Sequence, residues 1–156
     1  MIWYPDLGSE SPMISGPRIR AVGWLDAAQP YSAGAVSPVV LSKLKRLCVT
    51  WLDSARVLRW PEAAKGRVTC PFCGARGLRG AFGVPGDEVL YVVSERIWHH
   101  CQEHAYQPAR ELADAVLRCP EFITKAYASR VRDFIGAPVV ERFRPSTRAR
   151  LPERRR

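Results

Sequence analysis

Apolar side chains recur at three- and four-residue spacing after Ser37, and this pattern predicts an amphipathic helix that ends near Asp53. Ser37 suits the N-cap, and Pro38 suits the first helical position, where a missing N–H leaves no hydrogen bond unmade. The apolar stripe consists of Val40, Leu41, Leu44, Leu47, Cys48 and Trp51. Because Cys48 lies within this stripe, we interpret it as a buried thiol rather than a metal ligand.

Four segments rich in β-branched and aromatic residues predict strands. Residues 18–25 alternate in part between polar and apolar positions, and residues 55–60 form a second short candidate. The segments 78–84 and 88–94 flank Pro85-Gly86-Asp87, whose residue types favour a tight turn. These last two segments therefore predict a β-hairpin.

Three further helices are predicted after the hairpin. Ser94 is placed to cap a helix over residues 95–104. Pro108 is placed to begin another, which Pro120 stops. A last helix over about 121–135 carries an apolar stripe of Ile123, Tyr127, Val131 and Phe134. Strands and helices in this order predict an α+β fold.

The composition is that of one small domain with many loops. The chain has 156 residues with 13 prolines and 11 glycines, so its elements are expected to be short. We expect residues 1–17 to be irregular, residues 18–140 to form a single domain and residues 141–156 to be a tail. No stretch approaches the roughly 20 apolar residues of a membrane span. The N-terminus has no signal-peptide pattern, so a cytoplasmic location is expected.

Positive charge is concentrated at the C-terminus. The net charge is +9, and residues 141–156 contribute +5 of it through seven arginines against two acids. A segment with so little to bury is expected to be disordered on its own. It is either a solubilising end or a contact for a polyanion. The residues that would make such a contact are Arg142, Arg144, Arg148, Arg150, Arg154, Arg155 and Arg156.

Cys70-Pro71-Phe72-Cys73-Gly74 has the spacing of a zinc knuckle. Two intervening residues let both thiolates face one ion, and a glycine permits the tight turn that follows. In a reducing compartment, cysteines are more often ligands or buried thiols than disulfides. A thioredoxin-like redox pair is disfavoured because that motif opens a helix, whereas glycine-rich sequence and a hairpin follow here.

All three histidines of the chain lie in the short run Trp98–Tyr106. His99 and His104 have four residues between them, His100 and His104 have three, and both spacings occur in zinc fingers. The shorter spacing places both rings on one helical face. The longer one requires the helix to loosen at its end, which the approach to Pro108 favours. Cys101 is a further candidate that could replace a histidine, although it points away from the face of His99.

These elements together predict a zinc-binding α+β domain. A knuckle, a hairpin and a helix that ends in histidines follow one another in the order of an enlarged ββα finger, which additional amphipathic helices would cover. The cofactor is predicted to be Zn²⁺, held by Cys70, Cys73 and two of the histidines. This interpretation explains why the histidines are close together in the sequence: one ion would bind them at the end of one helix.

Residues 21–120 resemble a family of small, uncharacterised bacterial proteins. The pieces that carry the resemblance are Gly23-Trp24-Leu25, Cys70 and Cys73, Val84-Pro85-Gly86, His99 and His104, and then Tyr106 and Pro108. The resemblance implies that His99 pairs with His104, and so it implies the ligand set Cys70, Cys73, His99 and His104. His100 stands where the family usually has Tyr, and Ala109 replaces a usual second Pro. The family brings a metal site but no established activity.

The sequence lacks the motifs of common enzymes. A ββα-metal nuclease is the best enzymatic candidate, but such centres commonly use an Asn, and the chain contains none. There is no H-x-E for a zinc deaminase, no H-E-x-x-H, no G-x-S-x-G and no phosphate-binding G-K-[ST]. Two thiolates and two imidazoles also fill a tetrahedral zinc, which leaves no position for a reactive water. We therefore expect no catalytic residues.

Two classes of function remain. The first is a protein-interaction or adaptor module in which exposed tryptophans and the tail meet a protein partner, and we favour it. The second is a nucleic-acid-binding zinc finger that uses basic residues around the knuckle and the arginine tail. Against the second, the histidine-bearing helix carries Glu95 and Glu103 and is poor in the residues that read base edges.

Overall fold

The computed structural model of the chain describes residues 3–11, 14–53, 67–78, 80–122 and 124–135. Side chains of residues 49–53, 67, 68 and 78 lie outside this description. The elements in chain order are β1 (Ile19–Val22), α1 (Pro38–Asp53), β2 (Arg67–Thr69), β3 (Arg76–Leu78), β4 (Ala81–Pro85), β5 (Leu90–Ser94), α2 (Ile97–Glu103), α3 (Arg110–Arg118) and α4 (Lys125–Ile135). The fold of the described part is α+β.

A three-stranded mixed sheet in the order β1-β5-β4 forms the centre of the domain. β4 and β5 are the antiparallel hairpin, paired from Ala81↔Ser94 to Pro85↔Leu90. β1 lies parallel to β5, with Ile19 opposite Leu90. Every residue of β4 and β5 is buried. Both strands are short, and α3 and α4 pack against β4.

The main hydrophobic core lies between this sheet and the helices. Leu44 and Leu47 of α1 are fully buried, as the periodicity of that helix predicts. Phe122 contacts Phe82 of β4 at a ring-centroid distance of 5.6 Å and Tyr127 of α4 at 4.8 Å. The Tyr127 hydroxyl donates to the Gly83 carbonyl at 2.8 Å, so this buried phenol keeps a hydrogen-bond partner.

Several predicted elements are present in the structure. α1 begins at Pro38 and ends at Asp53, as predicted, and Cys48 in its apolar stripe is buried. The predicted hairpin is present as β4 and β5, and the predicted strand over 18–25 is present as the shorter β1. The predicted strand over residues 55–60 lies outside the described residues. In the described part, no helix is long and apolar enough to cross a membrane.

Three predicted helix starts are wrong. Ser94 is the last residue of β5, and the N-cap of α2 is Arg96, whose N–H donates to the Ser94 hydroxyl at 3.3 Å. α3 begins at Arg110 rather than at Pro108, because the backbone of Ala109, which follows Pro108, is extended. α4 begins at Lys125, later than the predicted residue 121.

The start of α4 has a capping signal that the apolar stripe does not reveal. The Thr124 hydroxyl accepts the N–H of Tyr127 at 3.2 Å, which is the geometry of a Thr N-cap. Within the predicted stripe, Tyr127 and Val131 are buried and Phe134 is half-buried. The stripe therefore places the helix correctly, and the threonine determines where it begins.

The segment 78–84 was predicted as one strand, but the structure divides it between two sheets. β3 ends at Leu78 and pairs with β2, whereas β4 begins at Ala81 and belongs to the central sheet. The separate two-stranded sheet β2-β3 carries the Cys70–Cys73 turn at its end. The cysteines are thus held by a small hairpin of their own, beside the main sheet.

The N-terminal segment is tied to the domain through Asp6. One carboxylate oxygen accepts the N–H of Gly23 at 3.0 Å, and the other accepts the Tyr106 hydroxyl at 2.7 Å. An isolated bridge between Gly8 and Ala21 adds a backbone contact to β1. Tyr106 is fully buried, so its hydroxyl depends on this one carboxylate.

We expect Tyr106→Phe to lower the free energy of unfolding by about 1.5–3 kcal/mol, because it removes a hydrogen bond from a fully buried phenol to a charged carboxylate. Chemical denaturation measures the change. Tyr127→Phe is the matched control, because it removes a neutral hydrogen bond to a carbonyl, worth about 0.5–1.5 kcal/mol. An equal or smaller loss in Tyr106→Phe would show that the charge of Asp6 adds nothing to its hydrogen bond with Tyr106.

Candidate metal centre

The hairpin of β2 and β3 turns through the two cysteines in a compact loop. Cys70 donates its N–H to the Ala75 carbonyl at 2.8 Å, and Gly74 donates to the Cys70 carbonyl at 2.9 Å. Gly74 has a φ of 71°, the left-handed region that its residue type was predicted to supply. The loop therefore brings the sulfur of Cys73 back towards the sulfur of Cys70.

The two outer histidines lie on either side of the end of α2. His99 lies within the helix, and His104 follows its last residue. The His100 carbonyl accepts both the N–H of His104 and the N–H of Tyr106, each at 3.1 Å. Ala105 between them has a φ of 51°, which is rare for a residue with a side chain. The helix loosens here, as the four-residue spacing requires.

Four donor atoms meet at this place. The ligand atoms of Cys70, Cys73, His99 and His104 all lie within 4.8 Å of one another. Cys70 Sγ is 3.3 Å from His104 Nε2, and Cys73 Sγ is 3.5 Å from His99 Nε2. A tetrahedral ion with bonds of about 2.3 Å to sulfur and about 2.05 Å to nitrogen places these atoms about 3.6 Å apart. The cluster therefore fits a four-coordinate metal ion.

His100 and Cys101 are not part of this cluster. His100 is 1% exposed and packs edge-on against Phe72 at a ring-centroid distance of 5.9 Å. Neither of its ring nitrogens has a well-formed hydrogen bond among the described residues, although the Gly23 backbone lies close to the ring. Cys101 is buried in the hydrophobic core. The structure thus brings together the set that the family resemblance implies, and metal binding by it stays a prediction.

The surroundings of His99 and His100 favour neutral imidazoles. Burial lowers the pKa of His99, and the neighbouring His104 and Arg96 lower it further. Burial also lowers the pKa of His100, to about 3, with His99 and Arg96 acting in the same direction. A neutral ring nitrogen is the form that coordinates a metal, so the environment of His99 suits a ligand at neutral pH.

Aromatic side chains pack against the cysteine loop. Phe72, between the two cysteines, lies 4.9 Å from the His104 ring and 5.3 Å from the Tyr31 ring, measured between centroids. The Tyr31 hydroxyl donates to the His104 carbonyl at 2.9 Å. On the other side, the Arg96 guanidinium donates to the Ala75 carbonyl at 2.9 Å. The sequence predicts none of these supporting contacts, because each of them joins distant segments.

The loop before α1 fixes the backbone beyond His104. Ala33 forms a bridge with Tyr106, the Gly34 N–H donates to the Ala105 carbonyl at 2.9 Å, and Gln107 donates to Ser32 at 2.9 Å. A Cβ atom at Gly34 would lie 2.4 Å from the Gln107 side-chain oxygen, so a larger residue would require the Gln107 side chain to move. This loop belongs to the segment that carries the family resemblance, and it holds the backbone that follows His104 at the end of α2.

Two adjoining cavities lie on the surface next to this loop. The larger, of about 610 Å³, lies between the N-terminal ends of α1 and α3, and the smaller, of about 310 Å³, is lined by Trp3, Tyr4 and Tyr31. They share Asp6 and Ser32. Among the described residues, the cluster of four is the one group of Cys, His and acidic side chains that could hold a metal. None of these four residues lines either cavity.

The fold and the centre define an α+β protein with a candidate Cys₂His₂ metal site. A family profile described as a domain of unknown function, DUF7919, matches residues 2–117, and the chain belongs to that family. The match covers β1, the cysteine loop and both histidines, so the candidate centre lies inside the family's domain. No curated protein and no solved structure matches the chain.

Proposed function

We propose that Cys70, Cys73, His99 and His104 hold one structural zinc ion in a non-enzymatic interaction module. The observation that carries the proposal is the convergence of all four donor atoms within 4.8 Å from two separate segments. Thiolates combined with imidazoles in a tetrahedral arrangement are typical of Zn²⁺, whereas Mg²⁺ and Ca²⁺ prefer oxygen ligands. The ion would join the β2-β3 hairpin to the end of α2, a short helix with no side-chain cap.

A structural role for the ion follows from the number of donors. Four protein ligands complete a tetrahedral zinc, whereas a catalytic zinc keeps one position for water. Glu95 is a carboxyl whose pKa is raised by burial to about 7. Its charge acts on the buried thiol of Cys48, and it lines neither of the two cavities. Neither of these two cavities therefore offers a substrate space beside Glu95.

The described tryptophans differ in their suitability for a partner. Trp24 donates its indole N–H to the Val92 carbonyl at 3.1 Å, and Trp98 lies under the Lys45 ammonium at 5.2 Å, so both serve the fold. Trp3 is 39% exposed and borders the smaller cavity. Among the described tryptophans, Trp3 is thus the one best placed to contact a partner protein, and we propose that it does so in the cytoplasm of a bacterium.

The arginine tail lies outside the described residues, and it supports the alternative of nucleic-acid binding. Binding through phosphates would be salt-dependent, because each neutralised phosphate releases counterions. Fluorescence anisotropy with labelled duplex and single-stranded probes can separate the alternatives. For an interaction module we expect only non-specific affinity at physiological salt, about 10⁻⁴–10⁻⁶ M, and loss of it when residues 141–156 are deleted.

A positive test of the favoured function uses the same zinc-loaded protein. We expect a crosslinked protein partner to survive nuclease treatment and to be lost in Trp3→Ala, while the zinc content stays unchanged. Trp24→Phe is the matched control, because its indole serves the fold. A tight, sequence-dependent complex with DNA or RNA that persists after deletion of residues 141–156 would establish nucleic-acid binding instead.

A further inference from the structure

The two cysteines of the centre differ in their exposure to solvent. Cys70 is 3% exposed and faces the protein, whereas Cys73 is exposed. The difference arises because Phe72 turns inward against Tyr31 and His104, and so the residue after it is left at the surface. A small oxidant in solution therefore reaches the sulfur of Cys73 before any other sulfur of the described residues.

A second thiol lies within reach of the first. The Sγ atoms of Cys70 and Cys73 lie within 4.8 Å of each other, and Gly74 gives the turn freedom to adjust. Reactive cysteines that sense oxidants are accessible and often lie next to a resolving cysteine. Here the exposed Cys73 has the position of the attacked thiol, and the buried Cys70 has the position of the resolving thiol.

The other three cysteines are protected. Cys48, Cys101 and Cys119 are all buried in the hydrophobic core. Burial raises the pKa of Cys48 and of Cys119 to about 12, so both remain protonated thiols, the less reactive form. Oxidation is therefore directed to the metal centre rather than spread over the five thiols of the chain.

We infer that Cys73 and Cys70 form a peroxide-sensitive pair whose conversion to a disulfide releases the metal; this inference rests on the proposed zinc site. The Cys73 thiolate attacks the O–O bond of hydrogen peroxide, which gives a sulfenic acid and hydroxide. The Cys70 thiolate then attacks that sulfur and displaces a second hydroxide. Two electrons pass from the two thiolates to the peroxide, and one S–S bond forms.

Metal release follows from the donor count. The disulfide removes two of the four donors and leaves only the His99 and His104 imidazoles, fewer than any structural zinc site uses. Loss of the ion is expected to loosen the β2-β3 hairpin, and the Arg96 hydrogen bond and the packing of Phe72 can form again around the loop once the disulfide is reduced. The metal centre can therefore be restored by reduction and added zinc.

The experiment treats zinc-loaded, full-length protein with hydrogen peroxide and follows free zinc with a chromogenic chelator. We expect one zinc per chain to appear, together with a Cys70–Cys73 disulfide in peptide mapping and three thiols that still react with an alkylating agent after unfolding. Dithiothreitol with added zinc should restore the original state. Zinc that stays bound, or oxidation that falls first on Cys48, Cys101 or Cys119, would overturn the inference.

Cys119→Ser provides the matched control, because it removes a buried thiol that lies outside the cluster of four donors. We expect it to release its zinc at the same peroxide dose as the unaltered protein and to show the same Cys70–Cys73 disulfide. Zinc release without that disulfide, or zinc that stays bound in Cys119→Ser, would contradict the disulfide mechanism. Zinc analysis before peroxide is added tests the proposed site separately, so failure of the site and failure of the redox response are distinguishable.

Discussion

Cys70→Ser is expected to abolish stoichiometric zinc binding and to unfold most of the protein at neutral pH. A structural zinc contributes on the order of 10 kcal/mol in small fingers, which is comparable to the whole stability of an ordinary domain, about 5–15 kcal/mol. The β2-β3 hairpin and α2 should lose their structure first, because both end at the cluster. Metal analysis by mass spectrometry and the circular dichroism melting curve measure the two effects.

Cys119→Ser is the matched control for this change. Cys119 and Cys70 are each 3% exposed, and Cys119 lies outside the cluster of four donors. Its replacement should retain one zinc per chain and lower stability by about 1–3 kcal/mol, the cost of a buried hydroxyl that is poorly paired. Full zinc content in Cys70→Ser would exclude the proposed centre, whatever happened to the stability.

His99→Ala is expected to lose the zinc, whereas His100→Phe is expected to keep it. His99 supplies the nitrogen 3.5 Å from Cys73 Sγ, so its removal opens the donor set. His100 is buried beside Phe72, and neither of its ring nitrogens is paired within the described part of the chain. A phenyl ring there removes an unpaired polar group and should change stability by less than about 1.5 kcal/mol.

The opposite result for His99→Ala and His100→Phe would change the assignment of the ligands. Zinc analysis of the two purified variants, with His104→Ala as the positive control for ligand loss, is sufficient. If His100→Phe loses zinc while His99→Ala retains it, the ligand pair is His100 with His104, and the arrangement at the end of α2 differs from that described above. Equal retention in all three variants would mean that the imidazoles are not ligands.

Elements with a strong local period could be predicted from the sequence. The apolar stripe from Val40 to Trp51 and the turn at Gly86 are local patterns, formed by residues close together in the sequence. They were therefore sufficient to predict α1 and the β4–β5 hairpin. The cysteine and histidine spacings also predicted a cluster of two cysteines and two histidines, because the chemistry of zinc limits the choice of ligands. Spacing alone left His99 and His100 as alternatives, and the family resemblance implied His99. The structure places the ligand atom of His99 in the cluster and buries His100 outside it.

Contacts between distant segments could not be predicted in this way. Nothing near Asp6 indicates that its carboxylate meets the Tyr106 hydroxyl, and nothing near Phe72 indicates that its ring meets Tyr31. The small β2-β3 sheet was missed because each of its strands has only three residues, and β3 contains a glycine, so they carry little pattern. The start of α2 was misplaced because tertiary pairing extends β5 through Ser94, which overrides its preference for a helix cap.

The parallel pairing of β1 with β5 has a consequence for folding kinetics. Residues 23–89 must be synthesised and brought together before Ile19 meets Leu90, and such long-range pairing is slow in small proteins. During synthesis, the cysteine loop also leaves the ribosome before the histidines, so the donor set is incomplete until His104 has emerged. We therefore expect that zinc accelerates only a late step, the docking of the cysteine hairpin. In the nascent chain, β1 lacks its β5 partner until β5 has emerged.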